Sequence, residues 1–395
     1  MPSSISFLLG SGFSAPLGYP TGKSLAKDFL GLTIDDYSVY PDGGLVKSVD
    51  GTKPTPGYRT NEDFHLEYLL DAMHLFKKKN SEFDYELFYD FICNKIGKDD
   101  DYIKLFEKGI YGDDYVQAVF TIRRLYVKLI NSSLRDKFGH RHYDNKSHMS
   151  EVFLNLSAIC NCLNSLAGNH TLNIHTLNHD LVIEGLSRTQ WLNHDLSDGF
   201  IELGSPYFGG IRNEVEREFK VRLEHYNGVY DKTINLYKLH GSIDYLLFSD
   251  QNGISGLPEN YLKTRYGVGY SELYKEKKGA DGRLEYFNCW INDHPDFLSG
   301  TTQKILRYEE PLLYKKLFDH FKENLKVADK LVIIGYGGWD SEVNKMLEND
   351  FDFKNKESII IDANPGEGVV SLSKALGAKL VSKSLEDVVV SDFSY

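Results

Sequence analysis

Three stretches carry residues whose types and spacing could do chemistry. In the first, the apolar run Ile5-Ser6-Phe7-Leu8-Leu9 breaks into Gly10-Ser11-Gly12-Phe13-Ser14-Ala15. Two glycines let a backbone turn sharply and come close to a ligand. Ser14 and Ala15 lead toward a helix, whose first N–H groups can face a phosphate. The spacing Gly10-x-Gly12-x-x-Ala15 fits the relaxed dinucleotide fingerprint, in which the third position accepts Ala. The second stretch holds polar groups after two strand-like runs: Asn178-His179-Asp180 after Thr171–Thr176, and His240-Gly241 after Ile234–Leu239. The third is Gly335-Tyr336-Gly337 through Asp340, with Asn364 after a further apolar run. An imidazole titrates near neutrality and suits general acid–base work. Singly, each residue has a plainer account: Asn as a turn residue, His as a core or capping group, Asp as a helix cap. Joint placement carries the case.

The elements that must position these groups follow from periodicity. Ile5–Leu9, Thr171–Thr176, Ile234–Leu239, Lys330–Ile334 and Ile359–Ile361 read as strands, the last two almost continuously apolar as in buried parallel sheets. Helices are expected over about 23–30, 150–166 and 311–325. Polar residues or glycines at the strand ends, with helices between, predict an α/β, Rossmann-like, mostly parallel sheet with helices on both faces. In such sheets ligands sit beyond the carboxyl ends of the strands.

Two segments interrupt that plan. From 61 to about 136 the apolar residues take helical spacing: Leu66, Leu69, Leu70, Met73 and Phe76, then Leu87, Phe88, Phe91 and Ile92, then Val116, Val119, Phe120, Leu125 and Leu129. We read 61–150 as a helical insertion with its apolar faces in the core, and a partner-binding groove as the minority reading. Residues 246–300 show no long period and read as an irregular insertion, and 33–60 as a surface loop.

Composition bounds the function classes. The chain has 395 residues, enough for a large core, with a net charge of −12 that argues against nonspecific nucleic-acid binding. The cysteines Cys93, Cys160, Cys162 and Cys289 form no C-x-x-C pair. No disulfide framework or metal site is expected from them. No basic-then-apolar leader and no run of about 18 apolar residues is present, so a soluble, cytoplasmic protein without membrane contact is expected.

Two motif-like features are set aside. Gly22-Lys23-Ser24 looks like the end of a P-loop, but position 17, where its first glycine belongs, is Leu. Leu-Asn-His-Asp recurs at 192–195 in a loop-like stretch, and we take it as coincidence. A dehydrogenase would need an acid about 20 residues after the glycines at the end of a second strand. Asp28 has that spacing but falls in a helical stretch.

Taken together, the motifs resemble the sirtuin-like family. Gly10-x-Gly12-x-Ser14 with Gly18-x-Pro20 is similar to its G-A-G-x-S-x-x-x-G-x-P opening. Thr176-Leu177-Asn178-His179-Asp180 resembles its T-x-N-x-D, and Lys238-Leu239-His240-Gly241-Ser242 its K-L-H-G-S. Gly335-Tyr336 through Asp340 and Asn344 is similar to its late G-Y-x-x-x-D-x-x-x-N segment. All four occur in family order. Ser11 replaces the usual Ala, and two glycines follow Tyr336. Only Cys289 lies beyond His240, so the family's four-cysteine zinc module is missing, and 246–300 stands in its place.

The resemblance therefore points to the zinc-free bacterial branch, whose members cleave NAD+ and serve in abortive antiphage defence. It implies one sirtuin-like NAD-binding catalytic domain over 1–395, NAD+ as substrate and no metal. Under it, Gly10, Ser11, Gly12, Phe13 and Ser14 line the phosphates together with Gly335, Tyr336 and Gly337, and Asn364 takes the adenosine ribose. Asn178 bonds a ribose hydroxyl and aligns water, Asp180 orients that group or bonds the nicotinamide amide, and His240 is the general base. A toxic hydrolase also implies a homo-oligomer and a separate sensor or regulatory protein from the same operon. The residues leave two alternatives open: a module that senses NAD+ or an ADP-ribose derivative, and a zinc-free deacylase.

Overall fold

The expected strands assemble into one parallel sheet in the computed structural model, which describes residues 3–39, 45–47, 60–112, 114–135, 152–212, 218–250, 257–264, 268–291, 294–300 and 302–394. Its strands are β1 (Ser4–Leu9), β2 (Thr171–Thr176), β3 (Leu196–Ser197), β4 (Ile234–Lys238), β5 (Lys330–Ile334), β6 (Glu357–Ile361) and β7 (Lys379–Val381). Their order is β7-β6-β5-β1-β2-β4-β3, and every neighbouring pair is parallel. This is a doubly wound, Rossmann-like α/β sheet. The chain leaves β1 toward β2 on one side and returns after β4 to lay β5 on the other. The carboxyl ends of β1 and β5 therefore flank a topological switch point, where such sheets bind ligands.

Strand alternation sends side chains to two cores. Phe7 and Leu9 pack into one and Leu8 into the other, as do Val332 and Ile334 against Leu331 and Ile333. The first core is covered by α1 (Gly22–Leu30), α2 (Asn61–Lys79), α3 (Tyr85–Asn94), α4 (Asp100–Lys108), α5 (Tyr115–Arg135), α6 (Ser157–Ala167) and α7 (Val182–Ser187). After α8 (Thr302–Arg307), the second core is covered by α9 (Tyr314–Val327), α10 (Ser341–Asp350) and α11 (Glu367–Ala375). Helix starts follow local chemistry. Thr60 and Asp63 form a reciprocal capping box on α2, and Asp84 accepts from Glu86 N and Leu87 N at the head of α3.

The structure differs from the sequence reading in several places. Ser14 and Ala15 do not open an α-helix. The chain makes two single 3-10 turns, Ser11–Phe13 and Ala15–Leu17, and α1 begins only at Gly22. Gly22-Lys23-Ser24 is the first turn of α1, with Thr21 as its cap. The segment expected to be irregular, 246–300, supplies strands of an eight-stranded antiparallel sheet that also takes strands from Phe200 onward. Cross-strand pairing, invisible to a local period, decides it. Leu87, Val116 and Phe120, expected in the core, are about half exposed or more. Phe88, Ile92, Val119, Leu125 and Leu129 carry those faces instead. Within 33–60, Tyr37–Val39 pairs with Leu45–Lys47. The rest of 40–59, the expected helical residues 136–151 and the Cys289 side chain lie outside the described residues. No described helix is long and apolar enough to cross a membrane.

Candidate active site

The opening loop packs against the loop that follows β5. Gly10 N donates to Ile334 O at 3.0 Å and Gly12 N to Gly335 O at 2.9 Å. A Cβ on Gly10 would stand 2.6 Å from Gly335 O, and one on Gly12 2.7 Å from Gly335 Cα. Gly335 itself has φ +60°, with Gly12 C at 2.5 Å from its Cβ position. The glycines thus serve a backbone-to-backbone approach, where a close approach to a ligand was expected. Two further N–H groups of the loop are also engaged: Phe13 N bonds Gly10 O, and Ser14 N bonds Ser11 O. The Phe13 side chain is 1% exposed and belongs to the core. Ser11 is exposed at the tip of the loop, whereas Ser14 is buried.

Asn178 closes this loop from the neighbouring strand end. Its Nδ2 donates to Gly10 O at 3.0 Å and to Ser14 Oγ at 3.1 Å, while its backbone N is held by Thr176 Oγ1. Its Oδ1 takes no hydrogen bond among the described residues. Asp180, expected beside it in the chemistry, turns inward. It is buried, and Oδ1 accepts from Val182 N, closing an Asx turn just before α7.

His240 lies at the end of β4, next to the Asn178 turn, and is 5% exposed. The turn is locked by Gly241 at φ +78°, where a Cβ would meet Tyr314 Oη at 2.5 Å, and by Leu298 N donating to His240 O. His240 Nε2 is buried with no hydrogen-bond partner among the described residues, and Asp340 Oδ2 lies 3.7 Å from it. Burial pushes the imidazole well below its ordinary pKa, Lys304 adds to that push, and Asp340 opposes it. The imidazole is neutral at neutral pH, with Nε2 unpartnered. The His179 ring faces it at 6.3 Å between centroids and packs on Phe297 at 4.5 Å.

The other predicted residues are placed as follows. Tyr336 is 5% exposed, and its hydroxyl bonds Asn344 Oδ1 and accepts from Asp340 N, so it braces the loop from within. Gly337 is exposed at the rim, and Asn364 is exposed at the end of β6, with its N–H bonded to Asp362. Asn193, of the second Leu-Asn-His-Asp copy, lines a cavity of about 460 Å³ with Lys232. That cavity sits at the amino ends of β3 and β4, the opposite edge of the sheet. Asp28 is exposed in mid-α1, away from any strand end.

Four contributing residues were given no role of their own by the sequence reading. Lys238, inside β4, sends Nζ to Asp180 O and His179 O and lies 3.1 Å from Glu184 Oε1, pinning the turn that carries Asn178. Asp340 caps α10 through Oδ1, with Oδ2 facing His240. Lys304 and Glu86 complete the charge cluster behind it. Lys238 and Asp340 stand within quoted motifs, where their signal was present. Lys304 and Glu86 stand in motif-free stretches. Among the described residues no group of three or more His, Cys, Asp and Glu could hold a metal ion.

No protein-family model and no curated protein matches the chain. Among solved structures, it is similar to a Sir2 homologue in complex with NAD, at 11% identity and a TM-score of 0.41 over 99% of this chain and 88% of that chain. It is also similar to a variant of a Sir2 homologue in complex with ADP-ribose, at 11% identity and a TM-score of 0.40 over 99% of this chain and 91% of that chain.

Proposed function

We propose that the chain is an NAD+ glycohydrolase: it splits the nicotinamide–ribose bond with water, giving nicotinamide, ADP-ribose and a proton. The observation that carries this reading is the buried, neutral His240 with an unpartnered Nε2, beside Asn178 at the carboxyl edge of the sheet. The four motifs that resemble the sirtuin-like family converge on that edge. The leaving group departs with its positive charge neutralised, so little acid catalysis is needed. The chain must bind the dinucleotide, orient the ribose and accept one proton.

In this reading His240 Nε2 accepts the proton from the attacking water or from a ribose hydroxyl that relays it, an effect worth roughly 10²–10⁴-fold. Asn178 holds the opening loop through Nδ2 and offers Oδ1 to a ribose hydroxyl. Ser11 and Gly337, exposed on the two loops that meet at Gly335, face the phosphates, and Asn364 the adenosine ribose. Asp180 acts through the turn it closes. The opening loop would bind phosphate through Ser11 and the loop rim, since its glycine N–H groups are committed.

The motif resemblance supports a role in bacterial antiphage defence, with a homo-oligomer and a regulatory partner as its control. The exposed Val116 and Phe120 on α5 offer a surface for that partner. Purified protein incubated with NAD+ should release nicotinamide, measured chromatographically, with no acyl-lysine peptide required. His240→Ala and Asn178→Ala should each lower the rate at least about 100-fold, and Asn193→Ala should not. A protein that NAD+ stabilises against heat without nicotinamide release would be a sensor, and the hydrolase reading would fall.

A further inference from the structure

The candidate base is wired to the helical layer. Glu86 stands in the first turn of α3, Lys304 in α8, and Asp340 at the head of α10. Lys304 Nζ lies 3.2 Å from Glu86 Oε2 and 2.8 Å from Asp340 Oδ2, and Asp340 Oδ2 lies 3.7 Å from His240 Nε2. The Lys304, Asp340 and His240 side chains are less than a tenth exposed, and that of Glu86 about a fifth. Asp340 Oδ1 is committed to Glu342 N and Val343 N. Only Oδ2 is left to face the lysine and the imidazole, and its position is fixed by α10.

We propose that Lys304 acts on His240 through Asp340: it offsets the pull of that carboxylate on the imidazole and, shared with Glu86, couples the seating of α3 to the basicity of that imidazole. The functional consequence rests on the reading of His240 as general base, but the coupling is a property of the chain and is readable without substrate.

A buried ammonium between two carboxylates divides its attraction between them, and low local dielectric makes each share large. Burial opposes the charge of Lys304, yet Glu86 and Asp340 outweigh it and raise its pKa. Burial also opposes the charge of Asp340, which Lys304 and the backbone N–H of Val343 hold below the ordinary carboxylate range. With Lys304 present, the pull of Asp340 on His240 is offset and the imidazole stays neutral, ready to accept a proton. Without Lys304, a bare buried carboxylate would face Nε2, the imidazole would protonate and donate to Oδ2, and the base would be lost. With Glu86 withdrawn, the whole lysine charge falls on Asp340, and the imidazole loses part of its basicity. The other groups around the pair are His179 on the β2 turn, Tyr308 after α8, Tyr336 on the β5 loop and Glu342 in α10.

The test is the titration of His240, read by NMR of labelled imidazole and assigned with His240→Gln. In the unaltered full-length chain the ring should stay neutral from about pH 8 to about pH 5. Lys304→Met, or Lys304→Gln where the first does not fold, should bring its titration into that range. Lys304→Met combined with Asp340→Asn should silence it again, and Lys304→Arg should behave as the unaltered chain. Glu86→Gln should move the His240 resonances at fixed pH, with a fall of roughly tenfold in kcat and KM unchanged, and Glu86→Asp should reverse part of both. A ring that stays silent in Lys304→Met, or that titrates alike with and without Asp340, overturns the coupling. So does a Glu86→Gln spectrum identical to the unaltered one. The carboxyl 13C of Asp340 in the unaltered chain is a check that needs no variant: titration at the ordinary carboxylate value overturns the proposal. If no nicotinamide is released, the functional reading fails, while the imidazole titration still decides the coupling.

Discussion

The glycines of the opening loop serve the contact between two loops. Gly10, Gly12 and Gly335 let two loops touch backbone to backbone, at distances no Cβ permits. Gly335→Ala adds a strained positive φ to a clash with Gly12, and each effect alone costs on the order of 1–3 kcal/mol. Urea unfolding without NAD+ should therefore show a loss of about 2 kcal/mol or more in both Gly10→Ala and Gly335→Ala. If either variant keeps full stability and loses only NAD+ binding, the packing account of that glycine is wrong. At the same scale, Asn178 and Asn193 sit in identical tetrapeptides but at opposite edges of the sheet. Only the first should affect nicotinamide release, and equal effects would remove the site assignment.

At the scale of elements, the turn after β2 is held by a residue on β4. Lys238 and Glu184 form an ion pair of which the side chains are 1% and 7% exposed. Burial holds the Glu184 carboxyl above its ordinary pKa, and Lys238 pulls it back. Breaking a buried pair from one side costs about 3–5 kcal/mol, because the remaining charge is uncompensated. Lys238→Met should lose that much at pH 8 and less at pH 6, where Glu184 can take up a proton. The sign follows from linkage: the variant's folded Glu184 binds a proton more tightly than the unfolded one, and that contribution is lost as pH rises. Adding Glu184→Gln should flatten the dependence. A loss independent of pH would mean that the Lys238 contacts to Asp180 O and His179 O dominate. The same turn carries Asn178, so Lys238→Met should also lower nicotinamide release out of proportion to its folded fraction.

For the whole molecule, acid sensitivity should come from buried neutral imidazoles. His175 in β2 is fully buried between Phe7 O, bonded at Nδ1, and Asn324 Nδ2, which lies 3.1 Å from Nε2. Burial lowers its pKa from 6.5 to about 3. Between those values the unfolded chain binds the proton and the folded chain does not. Stability is therefore full above about pH 6.5 and declines as pH falls, by about 2 kcal/mol at pH 5 from this residue. Urea unfolding at pH 7 and pH 5 measures the total, and the His175 resonance identifies its share. A His175 ring that titrates near its ordinary value would remove this account.

Much of the fold was legible because its signals are local. Buried parallel strands are short apolar runs, and helices repeat every three to four residues, so β1, β2, β4, β5 and β6 stand where the runs stand. The strand ends were legible too, since glycine and polar residues punctuate apolar runs. The antiparallel sheet over 200–291 was not, because its pairing is decided by partners far along the chain. Nor was the division of labour inside the motifs. Residue types at Gly10, Asn178, Asp180 and His240 limited the chemistry to loop closure, hydroxyl recognition and proton transfer. Where each group points depended on the tertiary fold: Asp180 turned inward to bond Val182 N, Phe13 went to the core, and His240 Nε2 was left without a partner among the described residues. By itself, then, the sequence determined the parallel sheet and the polar edge. Only the tertiary structure joined Glu86, Lys304, Asp340 and His240, because those contacts join residues as much as 218 positions apart and no local period encodes them.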